Sequence, residues 1–283
     1  MTRFEPAWLD QQYDNRARIA EHPAIFERWT RASALARERS SRRLDVAYGT
    51  GPGETLDVFP TTRANAPVLF FIHGGWWRSL DKRDLSFIAP VYTRAGALVV
   101  LPNYALCPGV GIDAIVMQLV QAVAWTYRNA VLYGGDPGRI VVAGHSAGGH
   151  LASMLLCCDW QAVASDLPAQ LVQRALSVSG VYDLEPIRQT PFLQADLHLT
   201  AALARRLSPS GFAAPRGTLY AACGALESEE FLRQNRLIHQ AWGASTVPIC
   251  ETVPGTNHLD VLHALVDPQA RLHQLTLELL ASP

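Results

Sequence analysis

Three uninterrupted apolar runs, separated by segments long enough for helices, constrain the fold of this chain more than any other feature. They are PVLFFI at 67–72, ALVVL at 97–101 and RIVVAG at 139–144. Such runs lack the alternation of a strand with one wet face and are typical of strands covered on both faces. Between the last two, apolar residues recur at helical spacing from Ile112 to Tyr127. This spacing predicts a βαβ crossover.

Further strand and helix patterns extend this unit along the chain. Strands are predicted at 43–49, 54–60, 175–179, 218–223 and 247–253, and helices at 229–242 and 260–280. The alternation predicts one α/β domain over residues 1–283, a doubly wound and mostly parallel sheet with helices on both faces. Residues 1–40 are expected to form an N-terminal helical arm. Residues 186–215 interrupt the strand pattern and are expected to form a small helical cap or lid.

Composition and the N-terminal sequence indicate which kind of ligand the chain binds and in which cell compartment it is found. The chain is 49% hydrophobic and 17% charged, with a net charge of −1, which argues against a nucleic-acid-binding face and favours a small, weakly charged ligand. Its five cysteines match no zinc or disulfide spacing, so we expect reduced core thiols. The N-terminus lacks an apolar leader and the run APVLFFI is too short for a bilayer, so we expect a cytoplasmic protein without membrane contact. A homodimer is compatible with the sequence.

The stretch VVAGHSAGG places a serine between a predicted strand and a predicted helix. Gly144, Ser146 and Gly148 fit G-x-S-x-G in the strand-turn-helix context that this motif requires. The turn must be sharp enough to lift the serine hydroxyl above the sheet, and side chains at 144 or 148 would collide with neighbouring backbone. We therefore predict that Ser146 is a nucleophile.

A serine hydroxyl needs a base and an acid that orients the base. His258, in the NHLDVL turn after the last predicted strand, is the predicted base. The chain order serine, acid, histidine leaves two candidates for the acid, Glu227 after the strand TLYAAC and Asp183 after the preceding strand. Glu227 is preferred because one helix and one strand then separate it from His258.

The loop HGGWW, which follows PVLFFI, is expected to supply backbone N–H donors to the reaction. Attack on a carbonyl creates an oxyanion, and preorganised backbone N–H groups stabilise it. The predicted donors are Gly75 and Trp76 from this loop and Ala147 from the residue after the nucleophile. The pocket is expected to be lined by Trp76, Trp77, Tyr104 and His145. For Trp77, burial in the core is an equally good alternative.

The residues resemble a known family over nearly the whole chain. The segments HGGWWRSLDKRDLSFIAP, LPNYALCP, VVAGHSAGGHLASMLL, SGVYDLEPI, ESEEFLRQN and NHLDVL are similar to the α/β-hydrolase kynurenine formamidases (arylformamidases) and their bacterial esterase relatives. The resemblance implies an α/β-hydrolase fold, no metal and no organic cofactor, and a Ser-acid-His triad that splits N-formylkynurenine into kynurenine and formate. Trp76 and Glu227 depart from animal members, which carry tyrosine or alanine and aspartate at those positions.

Three activities remain open from the sequence alone. The first is cleavage of a small acyl amide, with an aryl formamide as the substrate. The second is cleavage of a short-chain carboxylic ester by the same residues. The third is a hydrolase fold that binds a small molecule without catalysis. A metal-dependent activity finds no ligand cluster in the sequence.

Overall fold

A computed structural model describes residues 4–282 and contains one eight-stranded sheet within that range. The strands are Arg43–Ala47 (β1), Thr55–Phe59 (β2), Ala66–Ile72 (β3), Leu98–Pro102 (β4), Gly135–His145 (β5), Arg174–Val178 (β6), Thr218–Gly224 (β7) and Ile249–Val253 (β8). All eight predicted strands are thus confirmed. Residues 1–3 of the predicted arm and residue 283 lie outside the described range.

The helices alternate with the strands after an initial helical segment. They are Pro6–Tyr13 (α1), Asn15–Arg18 (α2), His22–Arg39 (α3), Ala89–Arg94 (α4), Ile112–Asn129 (α5), Ala147–Leu156 (α6), Trp160–Val163 (α7), Glu185–Gln189 (α8), Pro191–Leu197 (α9), Ala201–Arg206 (α10), Glu229–Thr246 (α11), Val261–Val266 (α12) and Arg271–Ala281 (α13). Short 3₁₀ segments lie at Lys82–Ile88, Ala130–Tyr133 and Pro209–Gly211. The single helix predicted at 260–280 is wrong, because the chain breaks at 267–270, where Pro268 lacks the N–H that a continuing helix needs.

The strand order is β1-β2-β4-β3-β5-β6-β7-β8, and the pairings from β4 through β8 are all parallel. Only β1–β2 and β2–β4 are antiparallel. Parallel strands present their carboxyl ends at one edge, so the loops after β3, β5, β6, β7 and β8 emerge side by side. Ile72 of β3 pairs with Gly144 of β5, and Gly224 of β7 pairs with Val253 of β8. Segments remote in the chain therefore meet at this edge.

Apolar layers cover both faces of the sheet. Every residue of β3 is buried, with Val68, Phe70 and Ile72 in one layer and Leu69 and Phe71 in the other. Helices α5, α6 and α11 contribute to the first layer, and α3, α12 and α13 to the second. The continuous hydrophobic runs are explained by this double coverage. The chain has the α/β-hydrolase architecture that the sequence predicts.

Helix α1 of the N-terminal arm (α1 to α3) packs against α8 and α9, two helices of the predicted lid. The backbone N–H of Phe192 in α9 donates to Asp10 in α1 at 3.3 Å, and that of Phe4 donates to Gln189 at 3.4 Å. The buried Tyr13 hydroxyl donates to Glu230 of α11 at 2.5 Å. The first two contacts attach the predicted arm to the predicted lid, and the third attaches the arm to α11. Within residues 4–282, no helix combines the length and the apolar character needed to cross a membrane.

Candidate active site

Ser146 lies in the turn between β5 and α6, in a strained backbone conformation with φ 57° and ψ −119°. The positions on either side, 144 and 148, have no room for a side chain. A Cβ on Gly144 would lie 2.2 Å from the carbonyl oxygen of Gly148, and one on Gly148 would lie 2.2 Å from that of Ile72. The backbone is packed so closely here that only glycine fits at either position. The turn directs the Ser146 hydroxyl toward the loop after β8.

His258 lies in that loop and contacts Ser146. Its Nε2 is 3.0 Å from Ser146 Oγ, and the imidazole is buried. The loop is held by a local network in which Asp260 accepts from the Asn257 backbone N–H at 2.6 Å. The side-chain oxygen of Asn257 accepts in return from the Asp260 N–H at 3.0 Å, and it also accepts from the Leu259 N–H at 2.9 Å. Asp260 therefore shapes the turn that presents His258.

Glu227 completes a hydrogen-bonded chain. Its Oε2 lies 2.7 Å from Nδ1 of His258, so Nδ1 carries the proton and Nε2 is left to accept from the serine hydroxyl. The other oxygen, Oε1, accepts from Ser179 Oγ at 2.5 Å and from the Gly224 N–H at 2.6 Å. The alternative acid lies elsewhere. Asp183 accepts from the Glu185 N–H at 3.1 Å and lies 3.7 Å from a guanidinium nitrogen of Arg233.

Ser179 is a positioning residue that the sequence reasoning missed. It follows β6 with a φ of 54°, a conformation that is uncommon outside glycine and often marks functional sites. Its hydroxyl and the Gly224 N–H together fix the Glu227 carboxylate, which in turn fixes the His258 ring. The positive φ could not be inferred from the sequence, where Ser179 reads as the end of a strand.

Replacing Ser179 with alanine is expected to lower kcat about 10-fold with little change in KM. The Glu227 carboxylate loses one of the two hydrogen bonds that fix its Oε1, and a hydrogen bond to a charged group contributes about 1.5–3 kcal/mol. Steady-state kinetics on any cleaved substrate measures this. Ser208→Ala is the matched control, since that buried hydroxyl donates to Ala204 O at 2.6 Å and the described structure shows it contacting no member of the Ser146, His258 and Glu227 chain. Equal losses in both variants would assign Ser179 a general folding role.

The loop after β3 supplies N–H groups beside Ser146. Gly75, Trp76 and Trp77 have φ values of 98°, 53° and 56°, and the N–H groups of Arg78 and Ser79 close the loop onto Gly75 O at 3.1 and 3.0 Å. A Cβ at position 75 would lie 2.2 Å from Ser79 O, so this turn requires glycine. The N–H groups of Gly75, Trp76 and Ala147 have no acceptor anywhere in the described chain. They are free to donate to a ligand atom.

His73 and Tyr104 hold this loop from behind. The His73 ring stacks on Tyr104 at 4.2 Å, and its nitrogens lie 2.9 Å from Gly74 O and 3.1 Å from Asn103 Oδ1. The Tyr104 hydroxyl donates to His73 O at 2.9 Å. Burial lowers the pKa of His73. The expectation that Tyr104 lines the pocket is therefore corrected, because its side chain is buried behind the loop.

Trp77 takes the alternative position, in the core and away from the cavity. It is fully buried, packs edge-on against His150 at 5.1 Å, and accepts the Cys107 N–H at its carbonyl, 2.8 Å away. Successive residues of the loop point to different sides, and this sends Trp76 to the cavity and Trp77 to the core. Burial lowers the pKa of His150 to about 4, so the ring beside Trp77 is neutral.

A cavity of about 600 Å³ opens next to Ser146 and His258. His145 and Trp76 border it, as expected for pocket residues. His145 donates from Nε2 to His258 O at 2.7 Å, and its pKa lies well below the usual value because it is buried beside His258. Much of the remaining lining was not predicted. It comes from the arm, the loop after β3 and α9, namely Asp14, Asn15, Arg16, Ala17, His22, Phe26, Trp29, Arg78, Ser79, Leu80, Phe192 and Asp196.

Comparison with known proteins identifies the family. The kynurenine formamidase of Salmo salar is 31% identical over 289 aligned residues, which cover 98% of this chain and 94% of the relative. This chain belongs to the kynurenine formamidase family. The BD-FAE family model matches residues 56–195, the part of the chain that contains Gly75, Trp76 and Ser146.

Solved structures agree with the observed fold. A protein from Silicibacter sp. TM1040 assigned as a thioesterase superposes with a TM-score of 0.82 at 28% identity, covering 97% of this chain and 99% of that one. The carboxylesterase EstE1, from a metagenomic library, superposes with a TM-score of 0.70 at 19% identity and covers 98% and 96% of the two chains. Like its formamidase and esterase relatives, this family member is a hydrolase with the α/β-hydrolase fold.

Proposed function

We propose that the protein is a serine hydrolase that cleaves a small acyl group from an aryl amide, with N-formylkynurenine or a similar aryl formamide as the substrate. The observation that carries this proposal is the hydrogen-bonded chain from Ser146 through His258 to Glu227, with three free N–H groups beside Ser146 and a cavity next to it. The family's formamidase members support the choice of formamide as the bond cleaved.

The first half of the reaction forms an acyl-enzyme. His258 accepts the Ser146 proton at Nε2 while Oγ attacks the formyl carbonyl. The oxygen that becomes negative is received by the N–H groups of Trp76 and Ala147, with Gly75 beside them, and each such donor stabilises the transition state by roughly 3–4 kcal/mol. Glu227 stabilises the imidazolium that forms. His258 then protonates the aryl nitrogen, and the C–N bond breaks to release the amine.

The second half consumes water. His258 removes a proton from a water molecule that attacks the formyl ester of Ser146, and returns that proton to Oγ as the ester C–O bond breaks. The products are formate and the regenerated serine. The geometry requires no group beyond the residues named, because one imidazole serves as base and acid in turn.

The direct test compares N-formylkynurenine with p-nitrophenyl acetate as substrates of the purified protein. We expect kcat/KM to favour the formamide by several hundredfold, since a site shaped for its natural leaving group uses the additional contacts in the transition state. Release of kynurenine and of p-nitrophenol can both be followed by absorbance. The reverse preference would support the alternative function, a short-chain carboxylesterase acting through the same residues.

We expect the acyl chain to be short because Trp76 limits the space near Ser146. Trp76 borders the same cavity, and three aromatic rings hold its side chain in place. Its ring centroid lies 5.7 Å from Tyr13, 6.4 Å from Phe192 and 6.0 Å from Phe231. We expect p-nitrophenyl acetate to be cleaved far better than the butyrate and hexanoate. Trp76→Ala, which keeps the backbone N–H, should raise the butyrate-to-acetate ratio of kcat/KM by about 10-fold. A flat chain-length profile in the unmodified protein would contradict this expectation.

A further inference from the structure

Charged side chains of both signs border the cavity on the side formed by the arm and α9. Asp14, Arg16 and His22 come from the arm, Arg78 from the loop after β3, and Asp196 from α9. This side of the cavity therefore has two positive charges, two negative charges and one histidine. An alkyl ester would place only apolar atoms against them. This lining suits a ligand that is itself charged on the part remote from the cleaved bond.

Two of these charges are already committed to each other. Arg78 pairs with Asp196, donates to Phe192 O at 3.0 Å and lies over the Phe192 ring at 5.3 Å. This set ties the loop after β3 to α9. Its charges are mutually satisfied and are not available to a ligand without breaking the pair.

Arg16 differs from Arg78. Its guanidinium carbon lies 5.4 Å from the centroid of the Phe26 ring, and within residues 4–282 it makes neither an ion pair nor a hydrogen bond. A guanidinium at the border of a cavity with all of its N–H groups free can bind a carboxylate in bidentate fashion. Its contact with Phe26 orients the group without using those donors.

Asn15, the neighbouring residue, provides a second and independent observation. It is 7% exposed, it borders the same cavity, and its Nδ2 has no acceptor among the described residues. The Nε1 of Trp29, 2% exposed and also at the cavity border, is likewise without an acceptor. Buried donors nearly always have partners, so donors left free at a cavity border indicate a ligand that accepts hydrogen bonds there.

We propose that Arg16 and Asn15 form a subsite for the carboxylate of a zwitterionic amino-acid head group carried by the leaving group. This inference rests on the proposed function, since the carboxylate belongs to the amine that is released. Asp14 has no cationic partner in the described structure, and its side chain accepts only the Ala17 N–H at 3.0 Å. A ligand that carries an ammonium next to its carboxylate therefore complements the negative charge of Asp14, whereas a simple anion does not.

The test uses inhibition, which does not require the formamide to be cleaved. L-Kynurenine and its decarboxylated analogue kynuramine are compared as competitive inhibitors of p-nitrophenyl acetate hydrolysis. They differ by the carboxylate alone, so the ratio of their inhibition constants isolates this group and cancels any change in basal activity. We expect the unmodified protein to bind L-kynurenine about 10-fold more tightly or better, as charge-assisted pairing with a guanidinium predicts.

Arg16→Ala should reduce this preference to about twofold or less, and Asn15→Leu should reduce it in part. Arg18→Ala is the matched control, because it removes an exposed arginine of the same helix that donates to Gln11 O and does not border the cavity. It should keep the full preference. No preference in the unmodified protein, or a preference unchanged by Arg16→Ala, would overturn the subsite. Ester hydrolysis without formamide cleavage would refute the proposed function separately, while the inhibition ratio would still decide the subsite.

Discussion

Replacing Ser146 with alanine is expected to lower kcat by about 10⁴- to 10⁶-fold on every substrate, the range found when a nucleophile that acts with its base as a unit is removed. The physical reason is that no other hydroxyl in the described structure lies within hydrogen-bonding distance of His258 Nε2, so the remaining donors can stabilise an oxyanion but nothing forms the acyl-enzyme. Steady-state kinetics measures the loss of turnover, and stoichiometric labelling by an organophosphate measures the loss of the nucleophile. The unmodified protein should be labelled at Ser146 and the variant should not.

Ser153→Ala serves as the control for this variant. Ser153 is a fully buried serine of α6, the helix that follows Ser146, and its hydroxyl donates to Gly149 O at 3.0 Å. It should retain activity and organophosphate labelling. An unmodified protein that binds substrate but is neither labelled nor active would contradict the enzyme proposal and favour a non-catalytic binding protein with a hydrolase fold.

Replacing Glu227 with glutamine is expected to lower kcat by about 10³- to 10⁴-fold while the protein stays folded. The neutral amide can donate as well as accept, so it no longer holds the Nδ1–H tautomer of His258 and does not stabilise the imidazolium. Kinetics on the preferred substrate, with a thermal unfolding scan of each variant, measures this effect. The scan separates a chemical defect from loss of the Ser179 and Gly224 hydrogen bonds that Glu227 also accepts.

Asp183→Asn discriminates between the two acids that the sequence left open. Asp183 bonds to the Glu185 N–H, lies near Arg233, and has a side chain that is 32% exposed. Its neutralisation should change kcat by less than about threefold, as expected for a surface ion pair remote from the reacting atoms. A larger loss in Asp183→Asn than in Glu227→Gln would reverse the assignment of the acid.

The arm has a functional consequence beyond stability. Four consecutive residues, 14 to 17, together with His22, Phe26 and Trp29, border the cavity. Because Tyr13 is hydrogen-bonded to Glu230, and α1 to α9, the arm is fixed against α11, which begins two residues after Glu227, and against the lid. Changes in the arm are therefore expected to alter the choice of substrate while leaving the Ser146, His258 and Glu227 geometry in place.

Much of the fold and of the hydrogen-bonded chain could be predicted from local patterns. Continuous apolar runs identify strands buried on both faces, and a parallel sheet brings their carboxyl ends to one edge. Ser146, Glu227 and His258 each follow a strand of the parallel part of the sheet, so their order along the chain was enough to propose that they meet. The break between α12 and α13 was missed because helical spacing continues past Pro268 in the sequence.

The pocket could not be predicted in the same way. Trp76 and Trp77 are chemically identical neighbours, and only the left-handed turn that begins at Gly75 decides which one meets the cavity. Ser179 reads as a strand residue until its positive φ and its contact with Glu227 are known. Arg16 and Asn15 lie in a four-residue helix more than 100 positions before Ser146, and no local pattern connects them to it.

The sequence by itself determined which strands form, and hence which loops gather at one edge, because backbone pairing and double-sided burial leave a strong and local signal. Only the tertiary structure decided what surrounds Ser146. The side chains that border the cavity depend on how the arm and α9 pack over the sheet edge, and that packing comes from contacts between residues far apart in the chain, each weak alone and visible only when all are in place.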